Sequence, residues 1–353
     1  NTPLIIHKHV GNKQKRKSMK KIILGVMTLL VISCNEKQPE EFSLRGKTNG
    51  IENGTNIYLS FEEELIDSTK VVDNNFKFQT KLQKSPMQVI LRTKDYSHYR
   101  FLWLENKPME FNASKTDFRN AKVTGSETEQ LSEILRQKID TIPRSKRHKY
   151  RIEFIRSNPE KLFSAYLLSF YTKTWGKEKT IELFNQLSEG NKNSEYGEKI
   201  SKYIKLNKDP KIGERFVDFE MEDTNGELRR LSDFNGKLVL LEFWASSCGP
   251  CRKENPSLVK TYNEYKPKGF EIFAVSEDTK REKWLRAIEK DGLPWLQVSD
   301  LSRENTASMI YGINGIPDNF LINQKGIIVG RNLRGEKLNE KLKELLYKNC
   351  RCF

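Results

Sequence analysis

The sequence predicts a β-sandwich-like N-terminal domain, a helical connecting region and an α/β C-terminal domain. Three observations predict this. Short segments that alternate apolar and polar residues recur from Phe42 to Val123, the apolar period turns helical from Ser126, and Leu238 to Trp244 is an almost unbroken apolar run leading through a tight turn into a helical pattern. Period two marks half-buried strands, spacings of three and four mark helices, and a short apolar run marks a strand buried on both faces. A length of 353 residues accommodates about two domains.

In chain order, residues 1–33 read as a leader. Lys20-Lys21, the apolar Ile22 to Ile32 and then Ser33-Cys34 form a basic region, a short apolar region and a small-residue cleavage site. The apolar run is too short to cross a bilayer as a stable helix. This leader holds seven Lys or Arg and no acid, so its removal takes the formal charge from +15 to +8. Residues 34–41 are polar and charged and read as a tether. With 36% apolar residues and only five cysteines, the rest is a globular protein built on a hydrophobic core, not a disulfide-stapled scaffold.

Residues 42–125 read as the β-rich domain. Phe42–Gly46, Asn56–Phe61, Lys70–Val72, Asn75–Gln79, Met87–Leu91 and Arg100–Leu104 are the expected strands, with turns at Asn49-Gly50, Asn53-Gly54 and Asp73–Asn75. Such spacing suggests a small antiparallel sandwich. Tyr58, Trp103 and Phe111 are expected to serve as core or sheet-face residues.

Residues 126–208 read as helical. Leu131, Ile134, Leu135, Ile139 and Ile142 share one helix face that Pro143 ends, and Asn158-Pro-Glu160 reads as the start of the next helix. Further helical patterns surround Ile181–Leu187 and Ile200–Leu206. The basic cluster Arg144, Lys146, Arg147, Lys149 and Arg151 carries no groove-reading or aromatic motif, so it reads as a solvated helix face or a weak attraction to anionic lipid, with no nucleic acid as partner.

Residues 209–347 form the α/β domain, after a boundary at Asn207-Lys-Asp-Pro210, and 348–353 are a tail. A hairpin is expected around Asn225-Gly226, buried strands at Leu238–Trp244 and Phe270–Val275, helices at Thr279–Asp291, Glu304–Tyr311 and Glu336–Tyr347, and short strands at Trp295–Val298 and Ile327–Gly330. Between the first buried strand and its helix stands Cys248-Gly-Pro-Cys251. Pro250 suits the first helical turn, whose N–H groups have no intrahelical partner, while Pro256 further on should kink the helix. A thiol at a helix N-terminus faces unpaired N–H groups and the positive end of the helix dipole, which favour the thiolate that attacks disulfides. Zinc would need a second suitably spaced pair, and Cys350-Arg-Cys352 is wrongly spaced; haem attachment would need His where Arg252 stands. A purely structural disulfide would not need the helix N-terminus. Redox chemistry is the reading that uses the position, with neither metal nor cofactor.

Phe243-Trp-Ala-x-x-Cys-Gly-Pro-Cys251 resembles the active site of the thioredoxin superfamily. The flanking Leu231–Lys237 and Arg252-Lys-Glu-Asn-Pro256 resemble its exported ResA/TlpA-type thiol-disulfide oxidoreductases, from about Lys211 to Tyr347. The resemblance implies a thioredoxin-like domain, with a central mixed sheet flanked by helices, and a Cys248–Cys251 redox disulfide. It implies a cis proline at Pro317 facing the pair, leaving the Ile316 backbone open to an extended substrate. Glu242 matches the buried acid beneath the disulfide and Glu254 the glutamate one turn past it, both candidates for proton handling. Ser247 stands where Trp is common and Asp318 where Thr is common; Asp318 is expected to add negative charge near the pair. Residues 42–125 resemble the β-rich, functionally undefined domain that precedes such domains in bacterial lipoproteins. Val31-Ile-Ser-Cys34 resembles a lipobox, which implies lipid attachment at Cys34.

Together these readings describe a lipid-anchored protein disulfide reductase on the periplasmic side of a bacterial envelope. Its implied partners are disulfide-containing exported proteins, cytochrome c maturation clients among them, and a membrane electron donor. One alternative is a thiol peroxidase of peroxiredoxin type, but Ala245 stands where that family needs Thr or Ser three residues before its reactive cysteine. Another is a lipoprotein whose N-terminal half binds a partner and carries the main function. Cys350 and Cys352 are expected to be dispensable.

Overall fold

The computed structural model describes residues 41–61 and 64–347. The leader, Cys34 and the Cys350/Cys352 pair lie outside the described residues. The N-terminal part comprises β1 (Phe42–Lys47), β2 (Asn56–Phe61), β3 (Glu64–Lys70), β4 (Asn75–Thr80), β5 (Met87–Arg92), β6 (Tyr99–Leu104), β7 (Pro108–Asn112) and β8 (Lys122–Thr124). They form two four-stranded sheets, ordered β4-β1-β7-β8 and β3-β2-β5-β6. Alternate residues of both sheets meet in one core, with Leu44, Phe78 and Phe111 from the first and Leu59, Val89 and Leu102 from the second. That is a sandwich, as the alternation predicts.

It is not wholly antiparallel, because β1 pairs with β7 in parallel. β7 closes against β1 only after the chain has built the second sheet, a long return that local alternation does not encode. The strand expected at Lys70–Val72 instead ends at Lys70; Val72 is exposed and only bridges Asn75 across the turn. Asp73 and Asn74 both adopt positive φ there, which suits their turn chemistry.

Five helices follow: α1 (Glu127–Asp140), α2 (Arg144–Ser157), α3 (Leu162–Gln186), α4 (Glu189–Lys192) and α5 (Glu195–Leu206). Ser126 caps α1 by accepting from Glu129 N. Asn158 does not start a helix. Its side chain donates to Phe154 O, one of the carbonyls orphaned at the end of α2, and α3 begins only at Leu162. α3 breaks at Gly176, whose φ of 78° is left-handed and outside the helical region. The helices dock on β6 through Trp103, which is fully buried among Phe163, Tyr166 and Tyr196. Beside it, buried Glu129 accepts from Trp103 N and pairs with buried Arg100 at 2.8 Å.

The connection at 207–210 is pinned to the C-terminal part. Asn207 is buried and donates through Nδ2 to Met309 O, and the amides of Lys208 and Asp209 both donate to Ile310 O.

The C-terminal part comprises β9 (Glu220–Glu222), β10 (Leu228–Arg230), β11 (Leu238–Trp244), α6 (Gly249–Tyr265), β12 (Phe270–Ser276), α7 (Arg281–Asp291), β13 (Leu296–Val298), α8 (Thr306–Ile310), β14 (Asp318–Ile322), β15 (Ile328–Arg331) and α9 (Gly335–Tyr347). β9 and β10 form the hairpin expected at Asn225-Gly226. The other five strands form a mixed sheet ordered β13-β12-β11-β14-β15, parallel across β13-β12-β11 and antiparallel from β11 to β15. This is the central mixed sheet flanked by helices that the thioredoxin resemblance implies.

β11 is its middle strand and is buried throughout. Leu238, Leu240 and Trp244 face one cluster, which also holds Cys248, Cys251 and residues of α6, α7 and α9; Val239, Leu241 and Phe243 face the other. By the period of two, Glu242 lies on the face of Leu240 and Trp244, the face covered by α6. α6 is continuous through Pro256, with Leu258, Tyr262 and Tyr265 packed on the sheet beyond it. Among the described residues no helix is long and apolar enough to cross a membrane.

Candidate active site

β11 ends at Trp244, anchored by Nε1 donating to Gln297 Oε1 at 2.9 Å. The chain then turns through Ala245, Ser246 and Ser247 into α6. Ser246 N donates to Asp278 at 2.7 Å, and Arg252 reaches back to Ser246 O at 3.0 Å while its guanidinium is held by Asp291. The turn before the cysteines is thus tied to α6, to the segment after β12 and to the end of α7.

Cys248 is the N-cap of α6 and its sulfur accepts from Cys251 N at 3.2 Å, so the first cysteine's sulfur meets a helix N–H that has no intrahelical partner, as the sequence predicts. Cys248 and Cys251 are joined as a disulfide, Cα–Cα 5.3 Å. Both cysteines are largely buried, whereas Ser247, Gly249 and Pro250 around them are exposed. The rim beside the pair is therefore made of small side chains.

The Ile316–Pro317 bond is cis. Ile316 packs against the cluster that contains both cysteines, and among the described residues its backbone N–H and C=O form no backbone hydrogen bond. Asp318 does not bring a free negative charge. It is buried and pairs with Arg331 at 2.7 Å, in line with the rule that a carboxylate taken from water needs a cation.

Glu242 is 7% exposed, opposite Asn319 across the β11–β14 ladder. Burial pushes its carboxyl far above the usual carboxylate range and the charge of Glu254 adds to this, while a hydrogen bond from Asn319 and the cation of Arg334 oppose it. Burial also raises Glu254, and Arg334 pulls it back, with Nε 3.0 Å from Glu254 Oε2. The charge of Glu254 thus acts on Glu242, and Arg334 acts on both.

Arg334 and Asn319 are the residues that sequence reasoning missed. Arg334 lies between β15 and α9. One of its Nη groups donates to Pro317 O and to Asn332 Oδ1. Asn319 clamps the same loop, its side chain accepting from Leu333 N and donating to Leu333 O, both at 2.9 Å. Neither residue stands in a motif or breaks a local pattern, so no sequence signal marks them.

Comparison with known proteins finds matches to two stretches of the chain. Residues 212–331 match the AhpC/TSA family, and residues 42–131 match a domain of unknown function, DUF4369. Thiol-disulfide oxidoreductase ResA of Halalkalibacterium halodurans is 36% identical over 138 residues, which are 38% of this chain and 77% of that protein. ResA of Bacillus cereus is 32% identical over 146 residues, 41% of this chain and 83% of the relative. A crystal structure of the thioredoxin domain of a thiol-disulfide oxidoreductase from Bacteroides vulgatus matches with 37% identity and a TM-score of 0.37, covering 39% of this chain and 99% of that one.

Proposed function

Since the chain belongs to the ResA family of thiol-disulfide oxidoreductases, we propose that it reduces disulfides of exported proteins outside the cytoplasm through Cys248 and Cys251. One observation supports this most: the pair opens a helix, under a rim of small exposed residues, with the Ile316–Pro317 segment packed alongside. In the reduced protein the Cys248 thiolate attacks a client disulfide, forming a mixed disulfide and releasing one client thiolate. Cys251, deprotonated, then attacks the Cys248 sulfur and releases the second client thiolate. This closes the Cys248–Cys251 bond, and two electrons from a membrane thiol donor reopen it. Glu242, whose carboxyl burial pushes well above the usual carboxylate range, is the proton store beneath the pair, and Glu254, held by Arg334, is the neighbour that tunes it. Clients in cytochrome c maturation fit the ResA kinship. The lipobox-like Val31–Cys34, outside the described residues, supports a lipid anchor on the periplasmic side of the membrane. The reading assigns thiol exchange to 209–347, with 42–125 as a β-rich domain and 126–208 as a helical region ahead of it.

The test is trapping. Full-length Cys251→Ser, reduced and mixed with a disulfide-bonded protein such as insulin, should accumulate a mixed disulfide at Cys248 that dithiothreitol releases, and Cys248→Ser should trap none. Absence of any adduct with Cys251→Ser, alongside a wild type that fails to reduce insulin, would refute the reading. The match to the AhpC/TSA family favours a peroxidase as the second reading. Ala245, in place of the Thr or Ser such a site needs, argues against it. Thiol-dependent consumption of hydrogen peroxide faster than insulin reduction would reverse the order.

A further inference from the structure

Arg334 touches the active-site neighbourhood from two sides. Its Nε lies 3.0 Å from Glu254 Oε2 on α6, and one Nη group donates to the carbonyl of Pro317 on the segment beside the disulfide. The Nε–H is buried and is not aligned into a hydrogen bond, so the Glu254 contact is an ion pair held by charge. The loop that carries Arg334 is fixed by Asn319, whose side chain grips Leu333 on both its amide and its carbonyl and which stands opposite Glu242 in the β11–β14 ladder. One guanidinium therefore connects the helix that carries the cysteines to the proline segment, and one amide ties its loop to β14 beside the buried acid of β11.

The charged groups facing this cluster are few. Glu254 comes from α6, Glu242 from β11, and Asp318 from β14, the last already paired with Arg331 of β15. Arg334 is thus the cation that decides between two interacting carboxylates on the same face of the sheet. Two such groups in one site do not ionise independently; a cation in contact with one favours its charge, and that charge raises the other.

We propose that Arg334 is a positioning residue that orders these two carboxylates, holding Glu254 ionised over the pH range in which Glu242 keeps its proton. It deepens the reductase reading and rests on it for its catalytic consequence: the site enters each cycle with one stored proton and one fixed charge. The bond to Pro317 O ties that charge state to the segment beside the disulfide.

The experiment follows carboxyl titration by 13C NMR in the oxidised full-length protein, where neither active-site thiol titrates. Glu242 and Glu254 signals are assigned by their loss in the respective Gln variants. Arg334→Gln should raise the Glu254 midpoint by about one pH unit, and Arg334→Lys should restore most of it. The acid limb of the insulin-reduction rate should move with it, and should not move when Arg334→Gln is added to Glu254→Gln. If Arg334→Gln does not fold, Glu254→Gln alone decides, because loss of an ionised Glu254 must lower the Glu242 midpoint. An unmoved Glu254 titration in folded Arg334→Gln, or an unmoved Glu242 in Glu254→Gln, overturns the proposal. The titrations need no client, so they stand even if insulin is not reduced and the reductase reading fails.

Discussion

Glu242 and Asn319 face each other across the β11–β14 ladder, and the Asn319 side chain clamps the backbone of Leu333. A single amide thus ties the strand beside the one acid in the middle strand to the loop that leads into α9. The raised pKa of Glu242 follows from this enclosure, since burial disfavours its charge more than one neutral hydrogen bond favours it.

That enclosure has a pH signature. A carboxyl whose folded pKa lies above its unfolded value holds more protons folded than unfolded between the two, so stability falls as pH rises through that window. For Glu242 the window opens near the ordinary value of 4.5 and extends well above it. Glu242→Gln should therefore flatten the dependence and raise the melting temperature at pH 7 relative to wild type. At a pH above both midpoints the gain in stability should be about 1.4 kcal/mol for every pH unit that separates the folded and unfolded midpoints of Glu242. The same variant should slow insulin reduction about a hundredfold, as expected when a proton-transfer group is lost. Parallel melting curves for the two proteins from pH 4 to pH 8 would disprove the account.

The redox potential should lie at the reducing end. Both sulfurs are largely buried, and burial disfavours a thiolate, so thiolate formation gains less than the helix N-terminus alone would provide. A reduced form that is little stabilised has a more negative potential. Equilibration with glutathione or dithiothreitol should place the pair nearer about −270 mV than about −120 mV. A value at the oxidising end would make the protein a disulfide donor instead.

Arg252 should matter through the turn it holds. It joins Asp291 of α7 to Ser246 O, two residues ahead of Cys248. Arg252→Ala leaves partly buried Asp291 without its cation and frees the turn. The expected result is a loss of about 1–3 kcal/mol in stability and a fall of about tenfold in the rate of Cys248 alkylation in the reduced protein. Unchanged alkylation in a destabilised variant would confine Arg252 to a structural role.

Arg100 offers a contrast far from the chemistry. It pairs with Glu129 with both side chains almost wholly buried, and Glu129 also accepts from Trp103 N. Arg100→Met strands a buried carboxylate and should cost about 3–5 kcal/mol. At a temperature where the protein stays folded, insulin reduction should be unchanged; a matching loss of activity would reveal coupling between the N-terminal part and the disulfide.

What the sequence determined by itself is what local periodicity and spacing can carry. The apolar run of β11, the cap position of Cys248, the Asn225-Gly226 hairpin and the alternating strands of the sandwich all follow from neighbours in the chain, and the structure has them. Glu242 and Glu254 were singled out through the resemblance, Glu242 as the acid that interrupts an apolar strand and Glu254 as the acid one helical turn past Cys251. What only the tertiary structure decided are pairings between distant segments. The parallel β1–β7 contact, the neutralisation of Asp318 by Arg331, and the meeting of Arg334 with Glu254 and Pro317 leave no periodic trace, because each depends on how strands and loops return to one another. Charge on a buried group is set by whichever cation the fold brings within a few ångströms, and for Glu254 that cation comes from the loop before the last helix.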